Sequence, residues 1–171
     1  MTGLPGSGKS TLANAVVAAL RAQDEVVLPL DGDDLRPHLA GGGYGDDDRR
    51  RFYAALAHLA QLGARGGAIV VVSATAQLRS WRDAARRDAV DGGGRFIEVY
   101  MSAGVEVCAA RDPKGLYRQQ AIGAIAALPG VGSPYEPPLV PELCIGPDEP
   151  IDSAAARVLA LLAWRPDRLE G

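Results

Sequence analysis

Residues 2–12 read Thr2-Gly-Leu-Pro-Gly-Ser-Gly-Lys-Ser-Thr-Leu12. This stretch decides the fold, because it matches the pattern G-x-x-x-x-G-K-S/T, whose glycines let backbone N–H groups converge on an anion. The helix that follows presents its positive N-terminus to the same anion, the lysine reaches the outer phosphates, and the next hydroxyl ligates Mg²⁺. We therefore predict a loop that binds a nucleoside triphosphate. The predicted phosphate-binding residues are Gly3, Leu4, Pro5, Gly6, Ser7, Gly8, Lys9, Ser10 (also the Mg²⁺ ligand) and Thr11.

Only Met1 and Thr2 precede this loop. A loop of this kind joins the end of a central strand to a helix, so the first strand is expected to be missing or truncated. Either a segment lies upstream of this sequence or the sheet lacks a central member, and we favour the first explanation. The chain as given is therefore predicted to fold poorly.

Hydrophobic periodicity predicts an alternation of helices and strands. Leu12, Val16 and Leu20 lie on one face of a first helix that runs through Arg21. The other helices are predicted at 48–64, 80–90, 105–110 and 152–163, and the strands at 25–30, 68–74, 95–101 and 142–145. This alternation indicates a three-layer α/β domain in which helices cover both faces of a mostly parallel sheet.

Size and charge limit the partners of the chain. Its 171 residues fit one domain over 1–171. A net charge of −3 and a pI near 5.4 argue against a nucleic-acid partner, which needs a basic face. No apolar run approaches the roughly 20 residues of a membrane span, so no membrane partner is expected. Cys108 and Cys144 are far apart in apolar surroundings, and we interpret them as reduced core residues of a cytoplasmic protein.

Two carboxylates follow the second predicted strand. Asp31 and Asp33 flank Gly32 at the carboxyl end of that strand, where ligands collect in parallel sheets. The strand at 68–74 offers only Ser73 at its end. Acids after the earlier strand are typical of a small-molecule kinase rather than a mechanical ATPase; the alternative is a turn of solvated caps. Arg36, one turn on, is either a ligand for an anionic acceptor or an ordinary surface residue.

A basic segment later in the chain is predicted to act as a lid. Arg111, Lys114 and Arg118 present positive charge from one stretch, and the glycines and prolines of residues 111–138 allow hinging. Positive groups that close on a transferring phosphoryl group stabilise its charge and exclude water. The alternative is a solvated helix start followed by a proline-rich loop.

Four stretches together resemble the adenylyl-sulfate kinase family. They are "TGLPGSGKSTLA", "LDGDDLR", "EVCAARDPKGLYRQQAIGAI" and "SPYEPP", in this order and at suitable spacing from residue 2 to about residue 145. The resemblance implies a P-loop NTPase fold, the use of ATP with Mg²⁺, and transfer of the γ-phosphoryl group to the 3′-hydroxyl of adenylyl sulfate in sulfate assimilation. Members of the family are usually homodimers, so the resemblance implies a homodimer for this chain as well.

The resemblance also assigns roles by position. Asp33 is implied as the acid beside the acceptor hydroxyl and acts in catalysis with Lys9, while Asp31 is its neighbour at the metal. Arg111 and Lys114 are implied to belong to the lid that closes over ATP. The residues implied on the acceptor side of the site are Asp31, Arg36, Tyr44, Arg49 and Arg79.

The chain departs from the family pattern on the acceptor side. Positions where the family has polar, charged or aromatic side chains hold Phe52, Ala54, Ala55, Ala76, Leu78, Leu128 and Gly132. Two alternatives therefore stay open beside a divergent adenylyl-sulfate kinase. One is a kinase for another small hydroxyl compound, with Phe52 and Leu78 forming a more apolar pocket. The other is a nucleotide-binding protein without catalytic activity.

The remaining polar and aromatic residues are interpreted as structural. The arginines at 49–51 and 86–87 are expected mostly on solvated faces. Arg49 is the exception, because the family resemblance implies that it binds the acceptor. Trp81 and Trp164 are expected to cover the core.

Overall fold

The computed structural model describes residues 1–39, 43–125 and 127–163. The strands are β1 (Thr2–Gly3), β2 (Val27–Asp31), β3 (Ile69–Ser73), β4 (Val99–Met101) and β5 (Leu143–Ile145). The helices are α1 (Lys9–Arg21), α2 (Gly32–Leu35), α3 (Asp46–Arg65), α4 (Arg79–Asp91), α5 (Val105–Arg111), α6 (Leu116–Ala121) and α7 (Ile151–Ala163).

The strands form one parallel arrangement with β1 in its centre. Strand β2 pairs with β3, and β1, β4 and β5 pair in that order, all parallel. Residue Met1 joins the two groups, because its nitrogen donates to the Val72 carbonyl at 2.7 Å and its carbonyl accepts from the Ala74 N–H at 3.2 Å. The strand order is therefore β2-β3-β1-β4-β5. The first strand is shortened to two residues but is not missing.

Helices cover both faces of this sheet, which confirms the three-layer α/β fold. On one face, α1 and α7 bury Leu12, Val16 and Val158 against the sheet. On the other face, α3 buries Phe52 and Leu56. Strand β3 contributes Val71 to the first of these clusters and Val70 and Val72 to the second, so its unbroken apolar run reflects contact on both sides.

A third apolar cluster lies beneath the phosphate-binding loop. Its buried members are Leu4, Ala103, Cys108, Tyr117 and Leu128. These residues come from the loop, from the turn after β4, from α5 and α6, and from the chain before residue 129. The cluster therefore packs the loop against the first half of the predicted lid.

Two expectations about individual residues were wrong. Cys144 is exposed although Cys108 is buried, because β5 is an edge strand and its middle side chain points opposite to the buried Leu143 and Ile145. Arg86 is only 31% exposed in its side chain, because Glu98 and Glu142 hold it in ion pairs.

The aromatic expectations have mixed outcomes. Trp81 covers the core as predicted, with its ring stacked on Tyr53 at 4.8 Å between centroids. Trp164 lies outside the described residues. Within the described part of the chain, no helix combines the length and apolar character needed to cross a membrane.

Candidate active site

The phosphate-binding loop has a backbone that only glycine accommodates at two of its positions. Gly3 has φ of +148°, and a Cβ atom there would lie 2.7 Å from the Met101 carbonyl oxygen. Gly6 has φ of +77°, and a Cβ atom there would lie 3.0 Å from the Cys108 carbonyl oxygen. Because L side chains rarely adopt these angles, the glycines allow the loop to wrap tightly between β1 and α1.

The polar side chains of the loop have different surroundings: Lys9 is hydrogen-bonded to the loop backbone, whereas the Ser7 hydroxyl has no partner in the described part of the chain. The Lys9 ammonium group donates to the Leu4 carbonyl at 2.8 Å, so it folds back across the loop. Burial lowers the pKa of Lys9 to about 8, and the charge of Asp33 opposes this effect. The Ser7 hydroxyl is buried without a partner among the described residues, and Thr11 is exposed at the start of α1.

Asp31 connects the loop with the ends of two strands. One of its carboxylate oxygens accepts hydrogen bonds from the hydroxyls of Ser10 at 2.7 Å and Ser73 at 2.6 Å. The other oxygen accepts the Asp33 N–H at 2.8 Å, which caps α2. Partial burial raises the pKa of Asp31, but the hydrogen bonds from Ser73, Ser10 and the backbone outweigh burial and hold that pKa below its usual value. Asp31 is therefore a stable anion beside the loop.

Asp33 reaches across to the predicted lid. Its carboxylate accepts a hydrogen bond from the Lys114 ammonium group at 2.7 Å, and this ion pair joins residues 81 apart in the sequence. The hydrogen bond to Asp33 raises the pKa of Lys114, so the lysine stays charged. Both side chains are more than half exposed. The structure thus brings Ser10, Asp31, Asp33 and Lys114 together.

Short contacts fix the segment that carries Lys114. The Asp112 carboxylate accepts the N–H groups of Tyr117 at 3.2 Å and Arg118 at 3.1 Å, and thereby caps the start of α6. The Tyr117 hydroxyl donates to the Pro5 carbonyl at 2.9 Å. Arg111 turns away from the acids and donates to the Pro147 carbonyl at 2.7 Å. The segment therefore contacts the loop at its centre and the chain after β5 at its start.

Two buried arginines that were predicted on the acceptor side have no acidic partner among the described residues. Arg36 and Arg49 are 8% and 3% exposed, and no carboxylate of the described residues forms an ion pair with either. Arg49 donates to neutral groups only, at Gln77, Ser133 and Ala127. Because a buried charge is normally paired, these two guanidinium groups are candidates for binding an anion.

The two other arginine or aromatic residues predicted on the acceptor side are Tyr44 and Arg79. Tyr44 is 67% exposed, and its ring contacts the Arg36 guanidinium group at 4.9 Å. The Arg79 backbone N–H donates to the Glu136 carboxylate at 2.8 Å, and its side chain donates to the Pro137 carbonyl at 3.3 Å. Arg79 therefore contacts the far end of the predicted lid in this structure.

The oxygen atoms near the loop fit a magnesium ion. Mg²⁺ prefers hard oxygen ligands and usually binds through one or two carboxylates together with substrate phosphates and water. The Ser10 hydroxyl and the Asp31 carboxylate lie 2.7 Å apart at the start of α1. Among the described residues, no cluster of three or more His, Cys, Asp or Glu side chains is arranged to hold a metal.

Sequence reasoning located one further contributor to this site only in part and missed two others. It places Ser73 at the polar end of a strand, where a site is expected, but the contact of Ser73 with Asp31 depends on the pairing of β2 with β3. Asp112 gives little local signal, since it lies three residues before Gly115, the N-cap position at which aspartate usually caps a helix. Tyr117 gave no signal beyond its place in the lid motif, because its contact with Pro5 spans 112 residues.

Known proteins similar to this chain cover most of its length. A family model described as adenylylsulphate kinase matches residues 1–146. The chain is 40% identical to the adenylyl-sulfate kinase of Bacillus velezensis over 85% of this chain and 73% of that protein. It is also 40% identical to the adenylyl-sulfate kinase of Paraburkholderia xenovorans, over 95% of this chain and 90% of that protein. The solved structure of the Mycobacterium tuberculosis APS kinase in complex with AMPPNP and APS matches with a TM-score of 0.89 at 39% identity, over 94% of each chain.

Proposed function

Because the chain belongs to the adenylyl-sulfate kinase family, we propose that it transfers the γ-phosphoryl group of ATP to the 3′-hydroxyl of adenylyl sulfate. The products are ADP and 3′-phosphoadenylyl sulfate. Relatives named as adenylyl-sulfate kinases match this chain over most of their own length as well as its own. A solved relative binds an ATP analogue together with APS, which supports the same pair of substrates here.

One observation carries this proposal at the level of residues. A series of hydrogen bonds runs from Ser10 through Asp31 to the Asp33 backbone, and from the Asp33 carboxylate to Lys114. It assembles the phosphate-binding loop, an acid and a lysine of the predicted lid at one place. A site for phosphoryl transfer needs these three parts close together, since its catalysis is mainly positioning and charge stabilisation.

On the nucleotide side, we assign phosphate binding to the loop amides and Lys9. The loop and the N-terminus of α1 hold the outer phosphates of ATP, and the ammonium group of Lys9 moves from the Leu4 carbonyl to the phosphates. Arg111 and Lys114 close over ATP from the lid and stabilise the negative charge that spreads over the transferring group. These movements also exclude water from the reaction.

On the acceptor side, we assign Asp33 to the reacting hydroxyl. Its carboxylate accepts the hydrogen bond of the 3′-hydroxyl and takes its proton as the oxygen attacks the γ-phosphorus. Asp31 holds the Asp33 backbone in place through its second carboxylate oxygen. Arg36 and Arg49 bind the anionic end of adenylyl sulfate, since neither has an acidic partner in the described structure.

We assign the metal position to Ser10 and Asp31. Mg²⁺ would be held there by the Ser10 hydroxyl and the Asp31 carboxylate, and it would neutralise part of the phosphate charge during transfer. The Ser73 hydroxyl, which donates to Asp31 at 2.6 Å, orients that carboxylate.

A steady-state assay with ATP and adenylyl sulfate tests the proposed function. We expect formation of 3′-phosphoadenylyl sulfate, and we expect Asp33→Asn to lower kcat by about 10²–10⁴-fold with little change in ATP affinity, because general base catalysis is lost. Asp34→Asn is the matched control, because Asp34 is the exposed neighbour on α2. Binding of ATP without any product at millimolar acceptor would exclude adenylyl sulfate as the acceptor.

The same assay decides between the remaining alternatives. A kinase for another acceptor would still release ADP when offered its own hydroxyl compound, whereas a protein without catalysis would bind ATP and never turn it over. Phe52 is only 1% exposed, so it offers little surface for an apolar acceptor pocket. A homodimer and a cytoplasmic location stay predictions, and light scattering of the purified protein measures the first.

A further inference from the structure

Arg36 is held in an unusual way for a buried cation. The residue is 8% exposed, and its guanidinium group makes one long hydrogen bond, from Nη1 to the Gly43 carbonyl at 3.4 Å. No carboxylate of the described residues pairs with it. Burial of an isolated cation is unfavourable, so some other group must stabilise the charge.

Three aromatic rings surround this guanidinium group. Its central carbon lies 4.0 Å from the ring centroid of Phe52, 4.9 Å from that of Tyr44 and 5.6 Å from that of Tyr53. All three distances fall within the range of cation–π attraction, in which the negative face of a ring stabilises a positive charge. We call Tyr44, Phe52 and Tyr53 the aromatic cradle of Arg36.

Phe52 is the fixed part of this cradle. It is 1% exposed, and its ring meets Tyr53 edge-on at 5.2 Å between centroids. Tyr53 is in turn stacked on Trp81, so the two inner rings are locked by core packing. Tyr44 contacts the guanidinium group too, but it is 67% exposed. The cradle therefore has a rigid inner side and an exposed outer ring.

Aromatic partners leave the arginine chemically different from one in an ion pair. A carboxylate would neutralise the charge and occupy the N–H donors in a bidentate pair. The ring faces stabilise the charge without accepting those N–H groups, apart from the single long bond to Gly43. Arg36 thus keeps its positive charge and most of its donors for an incoming anion.

On the basis of the proposed function, we propose that Phe52, with Tyr44, positions Arg36 for the anionic group of adenylyl sulfate and so sets the affinity for this acceptor. Phe52 is a positioning residue, since it acts through Arg36. At position 52, this chain has an aromatic ring beneath the arginine where the family pattern has a polar side chain. By this proposal, the departure from the family pattern affects the affinity for the acceptor.

Kinetics of Phe52→Leu and Tyr44→Leu test this role. We expect each variant to raise KM for adenylyl sulfate by about 3- to 30-fold, the range that corresponds to the loss of a cation–π contact. We expect kcat and KM for ATP to change less than about twofold, since both rings lie against Arg36 and Phe52 belongs to a different apolar cluster from the one beneath the loop. Tyr44→Phe keeps the ring and should retain the KM of the unmodified protein.

Leu56→Ala is the control for simple loss of packing. Leu56 is 3% exposed in the same apolar cluster as Phe52, but it has no aromatic ring and so cannot contribute to the cradle. It should lower the melting temperature without raising KM for adenylyl sulfate. Equal increases of KM in Phe52→Leu and Leu56→Ala would overturn the proposal, and so would an unchanged KM in both cradle variants.

A spectroscopic readout separates this inference from the proposed function. Ring currents from the cradle should shift the NMR signals of the Arg36 side chain, and Phe52→Leu should remove most of that shift whereas Leu56→Ala should keep it. If the unmodified protein transfers no phosphoryl group to adenylyl sulfate, the proposed function fails. The spectra then still decide whether Phe52 positions Arg36, because a signal that Phe52→Leu does not move overturns the cradle itself.

Discussion

Lys9 is a cation in surroundings that disfavour its charge. Burial lowers its pKa from 10.5 to about 8, and the nearby carboxylates of Asp33 and Asp31 only partly oppose this effect. Because the pKa of Lys9 is lower in the folded chain than in the unfolded chain, the unfolded chain binds more protons between pH values of about 8 and 10.5. The ligand-free protein should therefore gain stability as the pH rises from about 8 to 10.5.

The same shift predicts that ATP affinity falls at alkaline pH. Phosphates bind the charged form of Lys9, so binding above pH 8 must first return a proton to it. We expect Kd for ATP, measured by calorimetry, to rise about tenfold between pH 7 and pH 9. Lys9→Arg is the control, because a guanidinium group stays charged over this range. A Kd of the unmodified protein that is flat to pH 9 would contradict the prediction.

Lys114 makes an exposed ion pair that we expect to matter for activity and not for stability. The side chains of Lys114 and Asp33 are 58% and 65% exposed, and such pairs contribute about 0–1 kcal/mol. Lys114→Met should lower kcat by about 10²–10³-fold, because the charge that we propose to stabilise the transferring phosphoryl group is lost. Its melting temperature should stay within a few degrees of the original. Arg87→Met, which removes an exposed charge on α4, should change neither quantity.

Among the elements, α4 is attached to the rest of the fold through a buried arginine as well as through the ring of Trp81. Its only buried residue is Arg82, which donates to Glu98 at 2.7 Å, to the Ala76 carbonyl at 2.6 Å and to the Glu136 carbonyl at 2.6 Å. One side chain thus connects α4 with the residue before β4, with the turn after β3 and with the end of the predicted lid. The side chains of Arg82 and Glu98 are 5% and 10% exposed, so water screens this pair little.

Removal of the charge on Glu98 should therefore destabilise the fold. Glu98→Gln keeps the shape of the side chain but leaves Arg82 as a buried cation without its anion. We expect the free energy of unfolding in urea to fall by about 3 kcal/mol. Glu25→Gln, at an exposed position between α1 and β2, should change it by less than about 0.5 kcal/mol. Equal unfolding midpoints for the two variants would show that Arg82 does not need this partner.

In the whole molecule, the central strand is the shortest part of the sheet. Strand β1 pairs with β4 through two residues, Thr2 and Gly3, while β3 pairs with β2 through five. Along its other edge, Met1 bonds to Val72 of β3 and to Ala74, the residue after this strand. The core between β3 and β4 therefore depends on α1 and α7 more than on backbone pairing.

This arrangement leads to a prediction about stability. Three or four apolar residues added before Met1 should extend β1 between β3 and β4 and bury side chains there. Each fully buried large apolar side chain stabilises by about 1.5–3 kcal/mol, so the melting temperature should rise by several degrees. Circular dichroism of both chains measures the difference. Equal stability would contradict the expectation that the two-residue strand weakens the fold.

The fold and half of the site were predictable because their signals are local. The glycines, Lys9 and Ser10 follow one another in the sequence, so a contiguous pattern is enough to identify a phosphate-binding loop. Apolar spacing likewise predicted the alternation of helices and strands, although the strand expected at 95–101 is confined to Val99–Met101. Family motifs identified Asp33 and Lys114 but not their contact.

The sequence by itself determined the loop, the α/β layers and the residue types that surround a phosphoryl group, because each depends on neighbours within a few positions. Only the tertiary structure decided that Ser10 and Ser73 share Asp31, that Lys114 meets Asp33, and that aromatic rings hold Arg36. These contacts join residues far apart in the chain. They depend on the order of the strands and the course of the loops, which local patterns do not specify.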